Sequence, residues 1–259
     1  MVESGWQDTV QEKKVIKQTS DIQFQDIKQS KEQRGIKILS YGNFSTGKTH
    51  FALTAKQPVF IIDTENGASP LADKFPGAKI LKINESINDD TDEKDEVKNF
   101  EKLQLAIDYL AKLPKEQVGT VILDSISDLW EWVQAYAKIK IWKIPVEQRP
   151  KQMFDWGIIN KLYLKQLMKL INMNANVIVI ARAGEEYAGA GQPTGNYKPQ
   201  CQKKTPYWVD LVLFHEIHIM KGNAIFSAKI EKCRQNGDII GKVIDSPNFQ
   251  KIVDLIEKK

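Results

Sequence analysis

Short runs rich in Val, Ile and Leu punctuate the chain: IKILSY (36–41), PVFIID (58–63), TVILD (120–124) and NVIVIA (176–181). None alternates cleanly between apolar and polar positions, which is the signature of parallel strands covered on both faces. Between them Phe100, Leu103, Ile107 and Leu110 recur at helical spacing, as do Ile158, Leu162, Leu167 and Ile171. Strand–helix–strand alternation predicts a three-layer α/β/α domain with right-handed crossovers. The end of the chain reads differently. DLVLFHEIHIM (210–220), a turn at KGN (221–223) and AIFSAKIEKCR (224–234) predict an antiparallel hairpin that extends a mainly parallel sheet, followed by a short helix from Asn248.

Residues 1–20 are polar and mixed in charge, and read as a mobile tail or a partner-binding arm ahead of a single domain over 21–259. Ile22, Phe24 and Ile27 are candidates to dock on that domain, in a stretch whose periodicity is too short to assign an element. The acidic run INDDTDEKDE (87–96) reads as a solvated loop before a helix over 98–113. No internal repeat or linker rich in Gly, Pro or Ser divides the chain.

Composition narrows the class. With 259 residues, 42% hydrophobic and 27% charged, collagen-like, disulfide-scaffold and wholly disordered chains are excluded. Lys plus Arg is 37 against 33 for Asp plus Glu, a net charge of +4, which permits nucleic-acid binding without demanding it. Cys201 and Cys233 make no disulfide framework, show no zinc spacing, and have no evident base partner that would make either a nucleophile. No apolar run approaches a membrane span and no signal-peptide pattern opens the chain, so a reducing, cytoplasmic setting away from membranes is expected. His215 and His218 lie three apart on a predicted strand and face opposite sides, which excludes one shared ion.

The strongest chemical signal comes after the first strand. Gly42-Asn43-Phe44-Ser45-Thr46-Gly47-Lys48-Thr49, continuing into His50, fits G-x-x-x-x-G-K-[ST] between a strand and a helix. Glycines let backbone N–H groups turn inward onto phosphate oxygens, and the helix N-terminus adds partial positive charge. Lys48 is predicted to reach the β- and γ-phosphates of ATP, and the Thr49 hydroxyl to coordinate Mg²⁺. Asp124, ending the TVILD strand, is the expected carboxylate for the ion; the alternative is a helix N-cap, which Ser125 supplies equally well. A carboxylate in Asp63-Thr64-Glu65-Asn66-Gly67 would polarise a water for in-line attack, the alternative being a turn residue that caps the next segment.

Together these pieces resemble the RecA/RadA superfamily of ATPases. IIDTEN is similar to the superfamily's I-D-x-E-H type segment, which implies that Glu65 is the catalytic base. TVILDSISDL looks like its V-V-D-S Walker B and implies Asp124 as the magnesium carboxylate. Where the superfamily commonly places a glutamine γ-phosphate sensor, NVIVIARAG puts Arg182. The short lead-in, the D-T-E-N-G-A segment and Asp155-Trp156-Gly157 before the penultimate helix are similar to small single-domain ATPases of phages, plasmids and archaeal elements, of the RadA-like and single-strand-annealing, AAA-domain type. The resemblance spans roughly 22–250.

IEKCRQNG (230–237) is similar to the K-x-R segment that related hexameric helicases place in a neighbour's ATP site. This implies Lys232 and Arg234 as a trans finger neutralising charge on the γ-phosphate, and hence a homo-oligomer, ring or filament, with ATP at its interfaces. The alternative is a pair of solvated cations on an edge strand. Superfamily members contact single-stranded DNA through loops, and two stretches have the composition for it. One is the glycine-rich 183–208, with Lys198, Lys203 and Lys204 among aromatics but also Glu185 and Glu186. The other is 130–156, with four tryptophans beside Lys138, Lys140, Lys143, Arg149 and Lys151. The resulting expectation is a RecA-fold, Mg²⁺-dependent ATPase acting on single-stranded DNA in recombination, annealing or repair. A helicase-like motor, a P-loop kinase for a small metabolite and a non-hydrolysing nucleotide-binding scaffold are the rivals.

Overall fold

The computed structural model describes residues 24, 26–28, 34–83, 92–145, 147–148 and 153–258. Met1–Arg34 and Gly35–Lys259 form two compact units. In the first, Phe24 and Ile27 are exposed, and the Lys28 N–H donates to Asp26 Oδ1 at 2.7 Å. Residues 1–20 and Ile22 lie outside the described residues.

The second unit is built on one mixed sheet. Its strands are β1 (Lys37–Gly42), β2 (Val59–Asp63), β3 (Lys79–Lys82), β4 (Thr120–Asp124), β5 (Asn176–Tyr187), β6 (Pro193–Pro199), β7 (Leu211–Met220), β8 (Asn223–Cys233) and β9 (Val243–Asp245). The order is β3-β2-β4-β5-β1-β7-β8-β9, with β6 paired to β5. From β3 to β7 every neighbour is parallel; β7–β8 and β8–β9 are antiparallel. This is the α/β/α architecture, a mainly parallel sheet with a C-terminal antiparallel extension, that the apolar runs predict.

The helices are α1 (Lys48–Leu53), α2 (Asp92–Lys112), α3 (Ile126–Tyr136), α4 (Met153–Ile171), α5 (Thr205–Trp208) and α6 (Phe249–Glu257). Successive strand residues point to opposite faces. Ile38, Ile122, Ile178 and Ile180 therefore pack with Phe51 of α1 and Ile252 of α6. Leu39, Val121, Leu123 and Val179 pack with Leu103 of α2, Val133 of α3 and Leu167 of α4. Two buried faces explain why the strands lack alternation. A lysine also sits in this core. Lys37 is fully buried, and its ammonium donates to the carbonyls of Met173 and Ala175 just past α4 at 2.7 and 2.6 Å.

Several segments depart from the sequence reading. Residues 183–199 are not an irregular loop: β5 runs on to Tyr187 and pairs with β6, leaving the glycines 189 and 191 at the tip. Helix α2 begins at Asp92, so 92–96 of the acidic run are helical, while 84–91 lie outside the described residues. Asp155-Trp156-Gly157 lies inside α4 rather than before it. β3 is a four-residue edge strand with all residues exposed, too short and too charged to register as a strand. Arg149 and Lys151 fall outside the described residues.

For the site, the register is what matters. Gly42 pairs with Arg182, Asp63 with Asp124, and Asp124 with Ile180. β5 lies between β1 and β4, so the phosphate loop and Asp124 emerge from the same C-terminal sheet edge, the place where open α/β sheets bind ligands.

Candidate active site

At the end of β1 the chain turns into the phosphate loop. A side chain at Gly42 would put its Cβ 2.5 Å from the His215 carbonyl oxygen, and Gly47 holds a φ of 82°, in the left-handed region that glycine favours. The Thr46 hydroxyl donates to the Asn43 carbonyl at 2.9 Å, and the Lys48 ammonium donates to the same oxygen at 2.6 Å. The loop therefore folds back on itself and presents Lys48 and Thr49 to a cleft of about 860 Å³. Ser45, Gly47 and His50 line it from the loop side, with Glu65, Asp124 and Phe226 from elsewhere in the chain. Phe44 stands 89% exposed at the loop tip.

Two carboxylates reach this cleft by different routes. The Thr49 hydroxyl donates to Asp124 Oδ2 at 2.6 Å. The helix-capping alternative for Asp124 does not apply, because Ser125 Oγ caps α3 by accepting from Asp128 N at 3.3 Å. Burial pushes the Asp124 carboxyl up to about 7, aided by the charges of Glu65 and Asp63 and opposed by the Thr49 hydrogen bond and Lys48. Burial also lowers the Lys48 ammonium, against the pull of Asp124 and Glu65.

Past β2 the D-T-E segment divides its labour. Asp63 is fully buried; its carboxylate accepts from the N–H groups of Glu65, Gly67 and Ala68 at 3.1, 3.3 and 3.0 Å. That turn presents Glu65, whose side chain is 37% exposed. Asp63 is thus the turn residue and Glu65 the carboxylate of this segment that lines the cleft.

The donor set fits ATP with magnesium. An ammonium, a hydroxyl and an acidic oxygen converge on one cleft at a helix N-terminus, and the Thr49–Asp124 pair is the chemistry that holds a hard divalent ion and its waters.

A model of the AAA-domain family matches residues 34–243. The chain belongs to the AAA-domain family. The match takes in every residue placed in the site above, from Gly42 to Phe226. No curated protein matches the chain. Among solved structures it is similar to the KaiC-like protein PH0186 from the hyperthermophilic archaeon Pyrococcus horikoshii OT3, at 15% identity and a TM-score of 0.44, over 82% of this chain and 85% of that one.

In this AAA domain Arg182, on β5, is tied to three carboxylates. Its Nε donates to Glu65 Oε1 at 2.8 Å and a terminal nitrogen to Glu131 Oε1 at 3.3 Å; the other terminal nitrogen pairs with Asp128. Burial works against the Arg182 charge, but Asp128, Glu65 and Glu131 outweigh it and raise the guanidinium above its ordinary value. Asp128 also accepts from the Thr64 hydroxyl. The motifs did not reveal Asp128 and Glu131, though S-x-x-D at the start of α3 and an i, i+3 acidic pair were there to be read.

His50 lines the cleft with its ring edge-on to Phe75 at 5.1 Å, its basicity lowered by burial and by Lys74. His215 lies beneath the loop, buried, with no hydrogen-bond partner at either ring nitrogen among the described residues. Burial and the nearby Lys48 lower it to about 3, so it is neutral. His218 is exposed, and the two histidines do not meet. Cys201 is a neutral thiol, raised to about 11 by burial.

Lys232 and Arg234 do not reach this cleft within their own chain. Val212 pairs with Lys232, and Ile38 with Leu211, which places the pair at the opposite sheet edge from the phosphate loop. The Lys232 ammonium donates to the carbonyls of Pro206 and Val209 at 2.6 and 2.7 Å. Arg234 donates to Asp210 Oδ1 at 3.3 Å and to the Tyr207 carbonyl. Among the described residues no helix is long and apolar enough to cross a membrane.

Proposed function

We propose that this AAA domain is a Mg²⁺-dependent ATPase that binds single-stranded DNA and acts in recombination, annealing or repair as an ATP-switched oligomer. The observation that carries the ATPase reading is the convergence of Lys48, Thr49, Asp124 and Glu65 on one cleft. Lys48 and the phosphate loop hold the β- and γ-phosphates. Thr49 and Asp124 hold the magnesium ion, which when bound neutralises phosphate charge. Glu65, presented by the Asp63-capped turn, accepts the proton of the attacking water and aligns it. Arg182 positions Glu65. In the oligomer, Lys232 and Arg234 of one subunit face the cleft of the next.

DNA enters this reading through the aromatic and basic side chains of α3, α4 and the segment after β6, outside the ATP cleft. Trp156 is 39% and Tyr207 73% exposed, alongside exposed Lys198, Lys203 and Lys204. Stacking faces and phosphate partners in one region suit a single strand. The test is fluorescence anisotropy of a labelled deoxythymidine oligonucleotide with ATP, with ADP and without nucleotide. Tighter binding with ATP than with ADP supports the switch; no binding in any state overturns the DNA reading.

A further inference from the structure

The two sequence stretches singled out for DNA meet in one place. A cleft of about 640 Å³ takes Trp130 from α3, Trp156 and Asn160 from α4, and Lys198, Gln202 and Lys203 from the end of β6 and the segment after it. The indole rings of Trp130 and Trp156 stack at 26°, with centroids 6.3 Å apart. Trp130 is backed by the edge of Tyr163 at 5.4 Å and 90°, and the Tyr163 hydroxyl is anchored on Thr205 Oγ1 at 2.8 Å. One wall is therefore a fixed aromatic surface and its outer ring is open to solvent.

Polar groups complete it. Gln202 Nε2 donates to Asn160 Oδ1 at 3.1 Å, and Gln202 Oε1 accepts from Lys204 N at 2.6 Å. Asn160 spends its carbonyl on Gln202, which leaves its amino group to donate to an incoming edge. Lys198 and Lys203 are exposed. Among the described residues no carboxylate lines the cleft. Two ammonium groups exclude a cationic guest from this aromatic site, and the amides argue against a purely apolar one. A flat heteroaromatic ring carrying an anion satisfies stacking, edge donor and charge together.

We propose that this cleft seats one nucleotide of a single DNA strand. The base stacks on the Trp130–Trp156 surface, its edge meets the Asn160–Gln202 pair, and Lys198 and Lys203 take the flanking phosphates. The proposal rests on the DNA reading above and gives it a location. It also gives a route to the ATP cleft: Trp130 is followed in α3 by Glu131, which Arg182 holds, and Gly184, two residues beyond Arg182, pairs with Lys198.

The experiment measures the full chain against fluorescein-labelled (dT)12 by anisotropy, and against thymidine 5′-monophosphate by tryptophan fluorescence. Trp156→Ala should weaken oligonucleotide binding by about tenfold or more, and Trp156→Phe by less than about threefold, because stacking survives in phenylalanine. Lys198→Ala/Lys203→Ala should flatten the slope of log affinity against log salt by about 1.4, two phosphate contacts on a single strand. Thermal unfolding of each variant checks the fold. If the wild type binds (dT)12 but the Trp156→Ala and double-lysine variants bind it equally well, the cleft assignment fails and the DNA reading stands. If the wild type binds no oligonucleotide, both fail. If the monophosphate quenches fluorescence as strongly as the oligonucleotide per nucleotide, and Trp156→Ala abolishes this, the occupant is a free nucleotide and the strand assignment is overturned.

Discussion

Arg182 Nε and Glu65 Oε1 are 2.8 Å apart. The side chain at the expected sensor position therefore grips the carboxylate that the site offers as its base. Both groups sit at one sheet edge, and Arg182 reaches past Glu65 to Asp128 and Glu131 on α3. A cation at this contact fixes the orientation of Glu65, which preorganises it at little cost when a water arrives. The same contact makes Arg182 the physical link between the β5–β6 hairpin, α3 and the ATP cleft.

Replacing Arg182 by alanine separates positioning from nucleotide binding. Turnover should fall by about tenfold or more, as for loss of a positioning contact at a general base, while ATP affinity changes little. The Asp128 carboxylate, 10% exposed, loses its cationic partner, so chemical denaturation should show a loss of about 1–3 kcal/mol. Unchanged turnover would contradict the role given to the contact.

Asp124 gives the stability of the metal-free protein a pH dependence. Its folded value of about 7 lies above the ordinary 3.8, so between these two values the native state binds more protons than the unfolded state. This contribution to stability is present in full at about pH 4 and below, declines as pH rises toward 7, and is gone above it. Asp124→Asn removes the buried charge and keeps an acceptor for Thr49. Without magnesium the variant should melt about 5 °C higher than the wild type at pH 8, with the gap closing toward pH 4–5. Its ATP turnover should collapse. A variant less stable than the wild type at pH 8 would contradict the burial argument.

The trans role of Lys232 and Arg234 has its own measurement. Lys48→Ala and Arg234→Ala should each be inactive alone, yet an equimolar mixture should recover about a quarter of wild-type turnover if each site joins two subunits. No recovery would leave the pair with its contacts to residues 206–210 as its whole function.

Much of this molecule is legible before folding. Apolar runs without alternation give parallel strands because both sheet faces are buried, and the phosphate loop is legible because glycine, lysine and threonine spacing is dictated by phosphate itself. Asp124 stands out because it ends a strand, whereas Glu65 is singled out by the superfamily resemblance. The hidden part is non-local. Asp63 and Glu65 are both carboxylates in one short segment, and only the turn reveals which is spent on backbone N–H groups. Asp128 and Glu131 become site residues because β5 delivers Arg182 to α3, a contact with no local signal. The β5–β6 hairpin was obscured by its glycines, which suggest a loop, while its ladder depends on a bulged register between Glu185 and Tyr187. Trp130 and Lys203 lie far apart in sequence yet line one cleft, which no window on the chain can reveal.

Steady-state phosphate release by the full chain, with and without single-stranded oligonucleotide and beside Glu65→Gln, is the decisive measurement of the ATPase and its DNA partner. Mg²⁺-dependent turnover should rise with the strand and fall by about a hundredfold or more in Glu65→Gln, with ATP still bound. Turnover that ignores DNA and survives the substitution would refute the assignment of both, and a phosphorylated small-molecule product would put kinase chemistry in its place.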